Sequence, residues 1–388
     1  MPHILITGAS GFLGQAILTQ LQQVHPTWTI TNLDLYPPPK PQANTTYIQA
    51  DITNTLQTTQ AINQANPDAI IHVAGWVPSG PQRYSTCTAI RKKAFAINHQ
   101  GTLNVLNAAK SSQTSNCRVF VHTSSVTVIT DDQNPNHAHM TEDLALGRAV
   151  LTYGASKTGA EIAVLAANKT DKSKHDNNDR HGSEEKADFK TCALRPAPII
   201  GSGETYGVIA TIHSCIARGE TPWIIGSNNN MYEFVHVTNV ADAHILALDN
   251  LLLSLSATAA GQAIFVTNHQ PVYFRDFMLA IWAQFGHVPA FQCTVPAKLA
   301  WFVGLMAEVL GKGEGALSRG SVVDAVATAY TNPEKATRLL GYVPGVGLVE
   351  AVRLACEVSD DLETGFLFRC SCFVESQRLT GAFPFTGL

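Results

Sequence analysis

Residues 3–18, "HILITGASGFLGQAIL", set a short β-branched apolar run against three glycines, Gly8, Gly11 and Gly14, and then against a helical period. Such a start leaves the chain few choices. A strand must turn sharply into a helix, and the helix must lie close against the strand end. The alternation recurs, because "WTITNLD", "AIIHVAG", "RVFVHTSS" and "TCALRPA" are further short apolar runs separated by helical patterns. Continuous rather than alternating apolar runs suit strands covered by helices on both faces, as a parallel sheet requires. The expectation is an α/β fold, a Rossmann-type doubly wound parallel sheet, with a smaller C-terminal lobe.

In that fold the glycine turn has a chemical use. Glycines let the backbone approach a ligand closely, and the helix N-terminus offers unpaired N–H groups and a positive dipole end to a pyrophosphate. Gly8, Ser10, Gly11, Phe12, Leu13 and Gly14 are therefore candidate cofactor contacts. Asp34 lies 20 residues beyond Gly14, at the end of the next strand, and no Arg or Lys follows until Lys40. A carboxylate there accepts hydrogen bonds from a ribose diol and repels a 2′-phosphate, so NAD is favoured over NADP. Asp51 and Ile52 follow the third strand, where an adenine could be met. Small Ala74 and Gly75 end the fourth, leaving room for a cofactor; both pairs read equally well as a turn carboxylate and as tight packing.

"YGASK" places Lys157 four residues after Tyr153. A free phenol with a pKa of about 10 is a poor base at neutral pH, and an ammonium one helical turn away favours the phenolate. Ser124 and Ser125, in "VHTSSVTV", end the fifth strand, where a doubly wound sheet keeps its ligand crevice. A serine hydroxyl there could orient a substrate oxygen.

Composition narrows the partners. The 388 residues carry a formal charge of -4 without a basic stripe, so no nucleic acid is expected. Eight scattered cysteines show no metal-site spacing, no metal is expected, and a reduced, cytoplasmic setting follows. No secretory signal and no spanning segment is evident. The stretch "AKLAWFVGLMAEVLG" (297–311) is read as a core helix, with contact at the periphery of an internal membrane as the alternative.

Residues 168–190 form a charged insertion, 12 of its 23 residues being charged against 14% for the whole chain, and an exposed loop is expected. The division that follows is 1–195 for the cofactor domain, 196–355 for a substrate lobe with elements returning to the first domain, and 356–388 for a tail without a clear period. A homodimer is expected.

The motifs "TGASGFLG", "HVAG", "INHQGTLNVLNAA", "HTSSV", "YGASK", "LRPAPIIGSGE", "FVHVTNVADAHILA" and "KATRLLGYVPGVGLVEAV", in this order, resemble the extended short-chain dehydrogenases. Within them the chain is similar to the 3β-hydroxysteroid dehydrogenase and sterol-4α-carboxylate 3-dehydrogenase (decarboxylating) group, over roughly residues 3 to 353. The resemblance implies Tyr153 as general acid/base, Lys157 as its tuner and a ligand of the nicotinamide ribose, and Ser125 as the carbonyl-polarising hydroxyl. It adds Asn98 to the catalytic set, implies that Arg195 and Pro196 line the nicotinamide side, and leaves His236 and Asp242 structural.

The expected activity is NAD-dependent oxidation of a secondary, 3β-type hydroxyl on an apolar polycyclic, sterol- or terpenoid-like molecule, with decarboxylation where a neighbouring carboxylate allows it. Aromatic residues of the 270–311 stretch, among them Trp282, Phe285, Phe291, Trp301, Phe302 and Met306, favour such a substrate, although core packing explains most of them equally well. Two rivals remain: a nucleotide-sugar epimerase or dehydratase, and a non-catalytic cofactor sensor.

Overall fold

The strands β1 (His3–Thr7), β2 (Thr29–Asp34), β3 (Thr45–Gln49), β4 (Ala69–His72), β5 (Val119–Thr123), β6 (Lys190–Pro196) and β7 (Ala263–Val266) form one sheet. Their order is β7-β6-β5-β4-β1-β2-β3, and every neighbouring pair is parallel. The structure, a computed structural model, describes residues 1–38, 40, 42–111, 116–169, 188–204, 207–310 and 317–357.

Two-sided burial explains the apolar runs. Ile4, Ile6, Val119, Val121 and Leu194 face the helices Phe12–Val24 and Val237–Leu252. Leu5, Ile70 and Phe120 face the opposite layer, with helices Thr55–Ala65 and Thr102–Lys110. Alternate residues of each strand thus serve different cores, and both faces of the sheet are buried. The strand order reverses beside β1, which opens a crevice at the C-terminal strand ends.

A second, four-stranded sheet runs Val272–Tyr273, Met231–Tyr232, Thr328–Thr331, Asn136–Met140. Its Asn136–Met140 strand comes from the first half of the chain, while β7 and the Val237–Leu252 helix return from the second half to the central sheet. The hydrogen bond between His25 Nε2 and Asp249 Oδ1, at 2.8 Å, helps to hold that returning helix.

Of the charged insertion expected at 168–190, residues 170–187 lie outside the described residues. Its two ends meet, since Lys169 and Phe189 exchange backbone hydrogen bonds of 2.8 and 2.9 Å, and Phe189 is buried. The expected tail also lies outside them from residue 358 on.

The glycine turn requires its glycines for two separate reasons. Gly8 has φ +74°, a conformation that disfavours a side chain. Gly14 sits inside the first helix, where a Cβ would come within 2.1 Å of the Gly8 carbonyl oxygen. Gly14→Ala must push the helix off the strand end. The expected loss is about 1–3 kcal/mol or more, and a lowered denaturant midpoint with unchanged m-value checks it.

Candidate active site

A cleft of about 1380 Å³ opens at the C-terminal ends of β1, β2, β4, β5 and β6. Gly8, Ser10, Gly11, Phe12, Leu13, Gly14, Asp34, Asp51, Ile52, Ala74, Gly75, Ser125, Tyr153, Lys157 and Pro196 all line it. Residues expected from separate motifs therefore meet in one space.

The cradle for a dinucleotide is built from backbone. The Phe12–Val24 helix begins at Gly11 with no side chain capping it, so its first N–H groups are left for a ligand. A Cβ on Gly8 would meet Ala74 Cα at 2.8 Å, and one on Gly75 would meet both Asn98 Oδ1 and Lys157 Nζ at 3.3 Å. Asp34 accepts hydrogen bonds from the Ser10 and Tyr36 amides, at 3.0 and 3.2 Å, which fixes its carboxylate beside the turn. Asp51 holds its own turn by accepting from Thr53 N and Oγ1, both at 2.8 Å. These groups fit a nicotinamide dinucleotide.

Tyr153 and Lys157 lie one turn apart on the buried face of the Thr152–Ala166 helix. Lys157 Nζ donates to the Thr123 carbonyl at 2.8 Å, at the end of β5. Burial lowers its pKa to about 8, with Glu161 opposing. The two serines divide their work. Ser124 Oγ donates to Glu161 at 2.5 Å, whereas Ser125 lines the cleft together with Tyr153.

The charges acting on Tyr153 differ from the sequence expectation. The phenol is raised to about 12, by burial first and then by Asp131, while Arg83 and the neighbouring Ser125 hydroxyl act to lower it. The Lys157 ammonium is hydrogen-bonded to the Thr123 carbonyl. The chain thus holds Tyr153 as a protonated phenol.

Asn98 does not line the cleft. Its side chain accepts from Trp76 N at 2.7 Å and donates to Trp76 O at 2.8 Å and Ser156 Oγ at 3.0 Å, so it positions other groups. Arg195 also stays out of the cleft, contrary to its expected place beside Pro196. It is 2% exposed and pairs with Glu161 at 2.6 Å, because its strand position points into the helix layer. His236 caps the Val237–Leu252 helix by accepting from Thr238 N, a structural role. Among the described residues of the 270–311 stretch, only Phe274 reaches the cleft; Trp282 is buried in the core, and Phe291, Trp301, Phe302 and Met306 are exposed.

Sequence reasoning missed three neighbours of the site. Glu161 had a signal, standing four residues after Lys157 on the same helical face. Arg83 and Asp131 had none: they lie 48 residues apart and meet only in the fold, where Arg83 Nη2 donates to Asp131 Oδ1 at 2.8 Å and Asp131 Oδ2 accepts from Gly154 N at 2.8 Å.

The lowered Lys157 pKa has a consequence for stability. Below about pH 8 the folded chain carries a buried ammonium that the unfolded chain, with its pKa of 10.5, keeps in water. The cost is full there and fades as pH rises toward the unfolded value. Lys157→Met is expected to stabilise the fold by about 1–3 kcal/mol at pH 7, with a gain that shrinks above pH 8. Urea titrations at several pH values measure it.

Residues 5–296 match the profile of the 3-beta hydroxysteroid dehydrogenase/isomerase family. The chain is 30% identical to the decarboxylating sterol-4-alpha-carboxylate 3-dehydrogenase of Candida albicans, over 93% of this chain and 99% of that one. It is 29% identical to human short-chain dehydrogenase/reductase family 42E member 1, over 87% of this chain and 83% of that one. Its fold is similar to UDP-glucuronic acid 4-epimerase from Bacillus cereus in complex with NAD (TM-score 0.64, 15% identity, covering 91% of this chain and 97% of the other). It also resembles dTDP-glucose 4,6-dehydratase from Bacillus anthracis (TM-score 0.61, 16% identity, 92% and 96% covered). With a glycine cradle and a serine, tyrosine and lysine brought into one cleft, and with a family profile matched over most of its length, the chain belongs to the 3-beta hydroxysteroid dehydrogenase/isomerase family.

Proposed function

We propose that the protein is an NAD-dependent dehydrogenase that oxidises the 3β-hydroxyl of a sterol-type substrate, with loss of CO₂ when the neighbouring carbon bears a carboxylate. The observation that carries this reading is the meeting of Ser125, Tyr153 and Lys157 in the same cleft as the glycine cradle. The similarity to sterol-4-alpha-carboxylate 3-dehydrogenases along nearly their whole length supports the substrate class.

A bound oxidised nicotinamide would supply the hydride acceptor and a positive charge. The chain's own residues do the rest. Ser125 holds the substrate oxygen, and Tyr153, once ionised to the phenolate, removes the hydroxyl proton as the C–H bond breaks. Lys157, within reach of the Gly75 turn, would hold the nicotinamide ribose, and Asp34 the adenosine ribose diol. Once a ketone stands β to a carboxylate, the C–C bond to CO₂ breaks, its electron pair enters the ketone as an enolate, and a proton from solvent completes the product. No further catalytic group is required.

In this reading residues 1–195 hold the cofactor and 196–355 most of the substrate, with Asn136–Met140 and β7 exchanged between them. Exposed Leu299, Trp301, Phe302 and Val303 support a peripheral contact with an internal membrane, where an apolar substrate resides. No described helix is long and apolar enough to cross one. A homodimer belongs to the same proposal.

Incubation with NAD and a 3β-hydroxy-4α-carboxysterol should release NADH and CO₂ together. Because burial keeps Tyr153 protonated, the oxidative rate should rise from neutral toward alkaline pH. Tyr153→Phe should keep the fold and NADH affinity and lower turnover by roughly 10²–10⁴-fold. Turnover of a nucleotide-linked sugar, with no NADH from any polycyclic alcohol, would overturn the reading in favour of an epimerase. In a separate binding assay NAD should outcompete NADP, and tighter NADP binding would remove the role given to Asp34.

A further inference from the structure

We infer that His72 is a positioning residue whose single neutral tautomer ties the glycine-turn side of the cleft to the helix that carries Tyr153. Five fully buried polar side chains run behind the cleft: Thr7 at the end of β1, His72 at the end of β4, Thr102, Asn98 and Ser156. They come from five separate elements. Asn98 lies in the π-helical turn Phe95–Gly101, Thr102 opens the next helix, and Ser156 lies within the Thr152–Ala166 helix.

The hydrogens along this line have one consistent arrangement. The Ser156 hydroxyl donates to the Tyr153 carbonyl at 2.7 Å, so its oxygen accepts from Asn98 Nδ2 at 3.0 Å. Thr102 donates its one hydroxyl hydrogen to the Asn98 backbone carbonyl at 2.7 Å, and can therefore only accept from His72 Nε2 at 2.9 Å. His72 thus carries its proton on Nε2. A neutral ring then has a bare Nδ1, which accepts from the Thr7 hydroxyl at 2.7 Å. The Thr7 oxygen is left to accept the Val73 and Ala74 amides, each at 3.2 Å. Ala74 lines the cleft, and Asn98 holds both backbone groups of Trp76 next to it.

From the Asn98 backbone carbonyl through Thr102 and His72 to Thr7, each link fixes the direction of the next. Reversing the His72 tautomer would set two donors face to face at Thr7 and two acceptors face to face at Thr102. Burial, and after it the Lys157 charge, lower the His72 pKa to about 3, so the ring is neutral near neutral pH. His122, stacked on His72 with ring centroids 5.5 Å apart, makes no hydrogen bond through either nitrogen and takes no part in the line.

The tautomer is read from ¹⁵N-histidine-labelled protein, with the His72 signals assigned by their loss in His72→Gln. A neutral ring protonated on Nε2 from about pH 5 to about 9 is expected; an Nδ1-protonated or cationic ring overturns the inference. The positioning role is read from Thr7→Val, which keeps the shape and removes the hydroxyl. NADH affinity is expected to fall roughly five-fold and kcat to fall as well, with Thr7→Ser restoring both. Affinity and kcat within about two-fold of the parent in Thr7→Val, with only the melting temperature lowered, would leave His72 a purely structural group and overturn the role. The NADH arm rests on the proposed function, whereas the nitrogen spectrum does not. A parent protein that binds no NADH would therefore sink that function and leave the tautomer still decided by its own measurement.

Discussion

The ion pair between Arg195 and Glu161 holds the reacting end of the molecule together. Arg195 belongs to β6 and Glu161 to the Thr152–Ala166 helix, and they meet through contacts of 2.6 to 3.2 Å with both groups almost wholly buried. Glu161 also accepts from Ser124, which follows β5. One carboxylate thus fixes a strand, a helix and the serine beside Ser125. Two desolvated charges are a weak source of net stability, but removing either would leave the other uncompensated. The pair is best understood as setting register, since it aligns the tyrosine helix with the sheet edge that it must face.

Around that anchor the site balances charge tightly. Asp131 accepts from the third residue of the tyrosine helix, which anchors the helix start yet places a carboxylate near the phenol. Arg83 answers it, reaching Asp131 with one nitrogen and Asp324 with another at 3.1 Å. Tyr84 donates to the same Asp324 oxygen at 2.8 Å, so the Gly80–Tyr84 turn is tied across the cleft to the Arg319–Val326 helix. The phenol consequently rests as a proton donor, and must lose its proton before it can take one from a substrate hydroxyl.

The apolar part of the molecule is divided between core and surface. Trp282 packs beneath the second lobe, its indole N–H donating to the Ile212 carbonyl at 2.8 Å. The Ala297–Val309 helix, expected to be a core element, buries Ala300 and Gly304 and leaves Leu299, Trp301, Phe302, Val303 and Met306 exposed. Its near-continuous apolar sequence could not indicate which side would face water, because a helix apolar all round has no periodic clue to its inner face. The cleft walls come instead from Trp76, Pro78, Ile199, Phe234 and Phe274, scattered along the chain.

By itself the sequence determined whatever rests on local geometry. A strand, a glycine turn and a helix in immediate succession can close in few ways, so β1, its turn and Asp34 were legible, as were the other four apolar runs taken as strands. Tyr153 and Lys157 were legible because helical spacing alone puts them on one face. Tertiary structure decided what depends on long-range meetings. Arg83 finds Asp131 and Asp324 across 48 and 241 positions of sequence, and Thr7 finds His72 across 65. It also moved Arg195 from the cleft into an ion pair and turned Lys157 toward a carbonyl instead of the phenol. Each such outcome depends on burial and on which polar partner lies within about 3 Å, and neither is encoded in the spacing of residues along the chain.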